Sequence, residues 1–526
     1  MKNLPVGIQT FSKLIENNYL YVDKTKIIYD LIKEGGSAYF LSRPRRFGKS
    51  LLISTLAEIF SGNRELFKGL SIDAEPYDWK KYPIIHISFS SVPCTSPEEL
   101  VRGLKRQLKL RAAEYQLDLS DELAPGEFFE TLILQLAEKE QVVILIDEYD
   151  YAILKHIQNI EMADKMREIL HDFYAVLKDL DKSLKFIFLT GVSKFSKTSI
   201  FSGLNQLEDL TIDPRAAVLC GYTQEELESN FADRIQKLAE VEEMSIPEVL
   251  AKLKHWYNGF QFGSVGPRVY NPFSILNCFQ KNLFANYWFA AGTSSFLIRV
   301  IKNNPDILKD CMMLEAQEIA APGFEKFSID NYFHNVPNLL YQTGYLTVDK
   351  YFKDSDVYQL GYPNYEVRRS MTEQLFELVT DIQDAKLSRF ADKFRKALFA
   401  DDIDLFCKHM QDFFKLLPHT IVIDREKFYQ GVFFTICKLI GATIDTEQAT
   451  EIGYIDAVLE GAARTYVIEF KRNKTPDVAL QQIKDKEYFA RFKIEDLKPV
   501  VLVGMNFEFD DVNFVGVRVD YKSEAI

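Results

Sequence analysis

Residues 38–60, AYFLSRPRRFGKSLLISTLAEIF, leave this chain few folds to choose from. AYFLS has the length and character of a short buried strand, and KSLLISTLAEIF repeats its apolar residues with a helical period. Between them lies RPRRFGKS, ending in Gly48-Lys49-Ser50. A helix N-terminus presents unpaired N–H groups and a positive dipole end, so a loop of this kind suits a phosphate. Gly48 lets the backbone approach closely, Lys49 would reach the β and γ phosphates, and the Ser50 hydroxyl would ligate Mg²⁺. Phe47 and Leu51 flank that trio. Arg45 and Arg46 add charge for phosphates or for a nucleic-acid partner, or are ordinary exposed arginines. One position departs from the usual pattern G-x-x-x-x-G-K-[ST]: Arg43 stands where its first glycine belongs. Arginine lacks glycine's freedom at positive φ, so the loop is expected to take a different path. Three readings follow from these residues: a working nucleotide site, a site that binds nucleotide but hydrolyses it slowly, and a basic loop holding GKS by chance.

A nucleotide site also needs an acid at the end of a neighbouring apolar strand. VVILIDEYD, residues 142–150, supplies one. Asp147 would hold the metal and Glu148 would polarise the attacking water. The alternative for both is a solvated strand end. Around this pair, strand-like and helix-like segments alternate. PIIHISFS (83–90) reads as a strand, Ser96-Pro97-Glu98-Glu99 as a helix start, and 126–139 and 161–180 as helices. LKFIFLTG (184–191) is a further continuous apolar run. Such runs belong to parallel sheets covered on both faces, which predicts a doubly wound α/β domain over residues 1–221. From YTQEELESNF onward the pattern becomes mostly helical and aromatic-rich, a middle domain over 222–414.

The last segment, 415–526, holds a second chemical pattern: a helix at 428–441, strands GYIDAVLEG and RTYVIEFKR, a helix at 476–491, and a final strand at 499–507. Side chains alternate along a strand, so Glu469 and Lys471 share a face and Phe470 does not. A hairpin turning near Glu460–Arg464 would bring Asp456 to them. Two carboxylates can hold Mg²⁺ or Mn²⁺ with waters completing the shell, and Lys471 can orient a nucleophile. Glu426 and Gln482 are weaker additions, with Lys486 and Tyr488 further out. Against this stands the ordinary meaning of E-x-K on an exposed strand, a solvated ion pair worth under about 1 kcal/mol. Arg472, Lys474, Lys484 and Arg491 are the local phosphate-contact candidates.

Composition limits the remaining choices. A chain of 526 residues is too long for one core. Its 47% hydrophobic and 26% charged content is that of a soluble globular protein. No run has membrane-spanning length and the N-terminus lacks a signal-peptide layout. Six scattered cysteines without a C-x-x-C pair read as reduced cytoplasmic thiols rather than disulfides or a zinc site. The net charge of −13 argues against general affinity for nucleic acid, though not against a local basic groove.

RPRRFGKS, LIDEYD, FLTGVSKFSKTSIFSGLNQL, DPRAAVLCGYTQEEL and WYNGF together resemble the bacterial AAA-ATPase-like family, as does the upstream FSKLIENNYLYVDKT. The likeness runs over most of the chain. It implies an N-terminal P-loop ATPase, a helical middle and a C-terminal restriction-endonuclease-like domain of the PD-(D/E)xK type. In that pattern Ile455 replaces the proline before Asp456. It also implies that RPRRFGKS is a family variant of the loop, and that Thr190, with Ser193 or Lys194, occupies a sensor position. Arg215 would be a γ-phosphate sensor or a structural arginine. The cofactors implied are ATP and Mg²⁺ or Mn²⁺. The partner implied is DNA or RNA. Assembly with further copies of the chain is open, because a neighbour can complete such a site. The expected function is an ATP-using switch that gates a metal-dependent nuclease. The alternative is a non-cutting, ATP-dependent binding switch whose nuclease-like domain is inactive.

Overall fold

The computed structural model describes residues 1–33, 38–120, 122–157, 159–194, 206–263, 265–290, 316–320, 336–355, 357–380, 384–415, 422, 426–450, 453–489, 492, 498–510 and 516–526. The chain forms two compact units, residues 1–293 with 315–368, and residues 294–314 with 369–526.

The first unit is built on a sheet of β1 (Ala38–Ser42), β2 (Ile84–Ser88), β3 (Val142–Asp147), β4 (Leu184–Gly191) and β5 (Glu208–Asp209). Its order is β2-β3-β4-β1-β5 and every neighbouring pair is parallel. All residues of β1 and β3 are buried, which is why both read as unbroken apolar runs. β4 lies between β1 and β3, so the end of the loop strand and the end of the acidic strand flank it. The carboxyl ends of parallel strands, where the order of connection reverses, are where open α/β sheets bind ligands. The helix Pro97–Glu114 starts where the sequence signals it, with Ser96 Oγ accepting from Glu99 N at 3.3 Å.

After the helices Gln224–Glu242, Ile246–Tyr257 and Pro272–Lys281, the middle region adds a small antiparallel sheet. Its strands are β6 (Ala316–Ala320), β7 (Thr347–Phe352) and β8 (Val357–Gly361), in the order β6-β8-β7. The mostly helical expectation missed it, because these strands are only five or six residues long and sit among stronger helical patterns.

The second unit carries a sheet of β9 (Ile444–Thr450), β10 (Gly453–Glu460), β11 (Thr465–Arg472), β12 (Val500–Asp510) and β13 (Gly516–Ala525), ordered β13-β12-β11-β10-β9. β11 and β12 are parallel, joined through the helix Pro476–Asp485, and the other pairs are antiparallel. That helix lays Leu480 and Ile483 on Val458, Val467 and Leu502. The helix Glu426–Leu439 supplies Phe433, whose ring lies 5.1 Å from that of Phe470. β9 and β13 were not expected from sequence. Both are edge strands, and β9 (IDTEQAT) is too polar to show a buried face. Arg491 lies outside the described residues.

Cys94, Cys220, Cys278, Cys407 and Cys437 are buried free thiols, and Cys311 lies outside the described residues. Among the described residues no helix is long and apolar enough to cross a membrane.

Candidate functional sites

The loop after β1 resolves the question Arg43 raised. Positive φ falls on Arg46 (66°) and Gly48 (91°), and Arg43 needs none. Arg43 is instead buried, at 1% exposure. Its guanidinium donates to the carbonyls of Ser42 (2.8 Å), Thr211 (2.7 Å) and Ala216 (2.9 Å) and lies 4.0 Å from the Phe262 ring centroid. It ties the loop base to the segment after β5, where a glycine would supply neither contact.

Lys49 opens the helix Lys49–Phe60 and is also buried. Its ammonium donates to the carbonyls of Arg43 (2.8 Å) and Pro44 (3.0 Å), so it curls back over its own loop. Burial lowers its pKa, and the nearby Asp147, Glu148 and Asp150 oppose that shift. Phe47 turns its ring away into the core, 4.7 Å from Phe260 and 5.4 Å from Phe262, leaving only its backbone to face a ligand. Arg46 is exposed, with its guanidinium 4.9 Å from the Phe273 ring. The Arg45 carbonyl accepts from Trp288 Nε1 at 3.0 Å.

A cleft of about 410 Å³ opens over this loop. Arg45, Arg46, Gly48, Lys49, Ser50 and Leu51 line it from one side, and Glu148, Asp150 and Tyr151 from another. Pro5, Gly7, Ile8 and Gln9, and Pro272, Phe273 and Leu276, contribute further walls. Asp147 lies just behind, buried, with the Thr190 hydroxyl donating to its Oδ1 at 2.6 Å. Glu148 follows in a left-handed turn (φ 56°), and burial first, then Asp147, raise its pKa. The sequence reading gave no role to Asp150. This fully buried carboxylate accepts from the N–H groups of Val192 (3.0 Å) and Ser193 (2.7 Å) and from Ser193 Oγ (2.6 Å), which pins the end of β4 to the acidic strand. Its place three residues beyond Asp147 in LIDEYD was the available signal. Gly191 is needed there, since a Cβ would stand 2.5 Å from the Tyr149 ring and 2.9 Å from Asp150 Oδ1. Of the other sensor candidates, Lys194 pairs with Asp209. Arg215 binds Asp213 and Glu208.

One buried acid supports the cleft from outside. Glu366 accepts from Tyr287 N (2.6 Å), Trp288 N (2.9 Å) and Ser274 Oγ (2.7 Å), tying the wall helix Pro272–Lys281 to the tryptophan that reaches Arg45. Burial pushes its pKa up to about 7, against those three donors. A carboxyl raised in the fold keeps its proton above the unfolded value of 4.5. Its stability contribution is therefore largest at low pH and declines as pH rises toward about 7, on the order of 3 kcal/mol in all. The Glu366→Gln variant keeps one acceptor oxygen but loses the titration. Its melting temperature should fall less than the wild type's between about pH 5 and about pH 8. Equal slopes would rule out the titration.

In the second unit the β10–β11 hairpin performs the expected convergence. Ala457 stands opposite Ile468, and Phe470 N donates to Asp456 Oδ2 at 2.8 Å. Glu469 is 2% exposed. Its Oε1 accepts from Lys471 Nζ at 2.7 Å and from Gln482 Nε2, while its Oε2 has no hydrogen-bond partner. Lys471 also donates to the Phe470 carbonyl at 2.9 Å. Burial first, then mutual repulsion, raise the Glu469 pKa, while for Asp456 burial is the main cause. Glu426 adds to both shifts, so the helix acid does act on the site. The Lys486 ammonium lies 5.6 Å from the Tyr488 ring centroid. The orphaned buried Oε2 beside a second acid fits a divalent cation bound by two carboxylates plus waters. Among the described residues no cluster of three or more metal-ligating side chains forms, so water would supply the rest.

These geometries define an α/β protein with a P-loop-type site on a parallel sheet and a D…E-x-K site on a separate mixed sheet. Residues 5–201 match the family described as Predicted AAA-ATPase, and residues 424–516 match the PD-(D/E)XK nuclease superfamily. A protein of Azotobacter chroococcum mcd 1, described as an uncharacterized protein in the vnfD 5' region, is 35% identical over 532 residues, spanning 99% of both chains. The chain belongs to this family of predicted AAA-ATPases with a C-terminal PD-(D/E)XK nuclease-superfamily domain.

Proposed function

We propose that the protein binds and hydrolyses ATP at the cleft over Gly48–Leu51 and cuts nucleic acid at Asp456, Glu469 and Lys471, with the nucleotide state gating the cut. The observation that carries the cutting is Glu469: a buried carboxylate with one oxygen held by Lys471 and Gln482 and the other without a partner. Mg²⁺ or Mn²⁺, held by Asp456 and Glu469, would acidify a water and offset charge on the scissile phosphate. Gln482 fixes the Glu469 carboxylate. Lys471 balances its charge and can orient the nucleophile. Phe470 N–H keeps Asp456 turned toward the pair.

At the other site, the N–H groups opening the helix Lys49–Phe60 receive phosphate, and Lys49 swings from the Arg43 and Pro44 carbonyls to the anion. Ser50 and Asp147 would hold Mg²⁺. Glu148, in the cleft and raised in pKa by burial, is placed to take a proton from water. A smaller apolar pocket of about 70 Å³, with Leu51, Tyr222 and Pro272 among its walls, adjoins the cleft. Gating is tested by titrating ATP, and separately a non-hydrolysable analogue, into a cleavage reaction. The expected result is a change in cleavage rate of at least about tenfold, worth about 1.4 kcal/mol of barrier. A rate indifferent to both nucleotides would leave two independent activities and end the gating proposal.

A further inference from the structure

Three successive carbonyls open the loop after β1, and each has a side-chain donor. Lys49 Nζ takes those of Arg43 and Pro44, and Trp288 Nε1 takes that of Arg45 at 3.0 Å. Trp288 is fully buried, its ring centroid 5.2 Å from that of Tyr345 and 6.4 Å from that of Phe260. Gly344 makes room for this packing: a Cβ there would stand 2.6 Å from Pro44 Cβ and 3.3 Å from Trp288 Cζ2. Glu366 fixes the tryptophan's own N–H at 2.9 Å. Arg46, the next residue of the loop, has φ 66°, a left-handed conformation that is costly for a side chain such as arginine's. Its N–H meets no acceptor among the described residues, and Arg46 lines the cleft.

We propose that Trp288 is a positioning residue for the phosphate-binding loop, holding the Arg45–Arg46 peptide so that the Arg46 N–H faces the cleft. The inference rests on the nucleotide reading of that cleft. A trans peptide is planar, with its carbonyl and its N–H pointing in opposite directions. Drawing the Arg45 carbonyl into the core therefore turns the Arg46 N–H away from the core. A half-turn of the same peptide would relieve Arg46 to negative φ, where any residue is comfortable, and would present an acceptor to the phosphate oxygens. The two arrangements compete closely, because one hydrogen bond and one left-handed residue are of similar worth. The indole N–H tips that balance. When phosphate draws Lys49 from the first two carbonyls, the bond to Trp288 is the one of the three that stays. The same frame reaches the Arg46 side chain: Glu366 also holds Ser274, and the neighbouring Phe273 ring lies 4.9 Å from the Arg46 guanidinium.

The test titrates the full chain with a fluorescent ATP analogue and follows ATP turnover beside it. Trp288→Phe keeps an aromatic ring and removes the donor. It should weaken nucleotide binding about tenfold and raise KM to match, while kcat stays within about twofold, because bound phosphate itself holds the loop once the site is full. Arg46→Gly and Arg46→Ala both lose the charge and differ in their tolerance of positive φ. The glycine variant should bind about fivefold tighter than the alanine variant. Trp288→Phe/Arg46→Gly should come within about threefold of Arg46→Gly alone, a rescue that a tryptophan serving only the core would not show. Arg46 is exposed, so the glycine and alanine pair decides the matter even where Trp288→Phe does not fold. Unchanged affinity in a folded Trp288→Phe protein, or equal binding by the two Arg46 variants, would overturn the proposal and leave the nucleotide site standing. A wild-type chain that binds no nucleotide would remove the nucleotide reading and this inference with it.

Discussion

Lys471→Ala is expected to lower metal-dependent cleavage by about two to three orders of magnitude, the scale of removing one charged group from a water-poor reaction site. Its ammonium sits 2.7 Å from Glu469 Oε1 in a site where Glu469 is almost wholly buried. Without it, two carboxylates already raised in pKa face each other with less positive charge nearby. Metal binding then has to offset more repulsion, and the nucleophile loses its orienting cation. The same removal leaves a buried acid without its cation, which destabilises folds by about 3–5 kcal/mol in typical cases. A melting curve must therefore accompany the assay. Gln482→Ala separates the two effects: it loosens Glu469 without touching charge, so cleavage should fall far less. Single-turnover cleavage of single- and double-stranded DNA and RNA, with Mg²⁺ or Mn²⁺, is the measurement. Equal cutting by a folded Lys471→Ala protein and by wild type would place the activity elsewhere.

Lys49→Ala is expected to reduce ATP hydrolysis by at least about a hundredfold and to weaken nucleotide binding with it. On the proposed reading the loop's N–H groups hold phosphate and Lys49 swings over to it. Its two bonds to Arg43 and Pro44 show where it rests; each contributes on the order of 1 kcal/mol, so loop stability should drop only modestly. Titration with a fluorescent ATP analogue and phosphate-release kinetics read the two effects apart. Undiminished binding and turnover in the variant would mean that phosphate does not sit on this loop.

Much of both sites was legible because the relevant patterns are local. The passage AYFLS to GKS to LLISTLAEIF carries a strand, a loop and a helix in consecutive residues. The Glu469-x-Lys471 pair follows from strand alternation. Even the convergence of Asp456 required only a short hairpin. Phe47, by contrast, looks like part of the loop's contact set, yet its ring packs on Phe260 and Phe262, more than two hundred positions away. Asp150 looked like one more acid at a strand end until β4 brought Ser193 to it. The polar edge strand β9 carries too little apolar alternation to announce itself.

Residue order alone was enough to set the succession of the main elements, the identity of the charged groups and the sign of the field around them, since each depends on neighbours along the chain. Which of those charges are buried was settled by packing. Arg43 shows why: alone it reads as a broken phosphate loop, but carbonyls from Thr211 and Ala216 and the face of Phe262 close around it. Desolvation is set by the groups that pack against a side chain, and here those groups come from distant segments that the fold brings together.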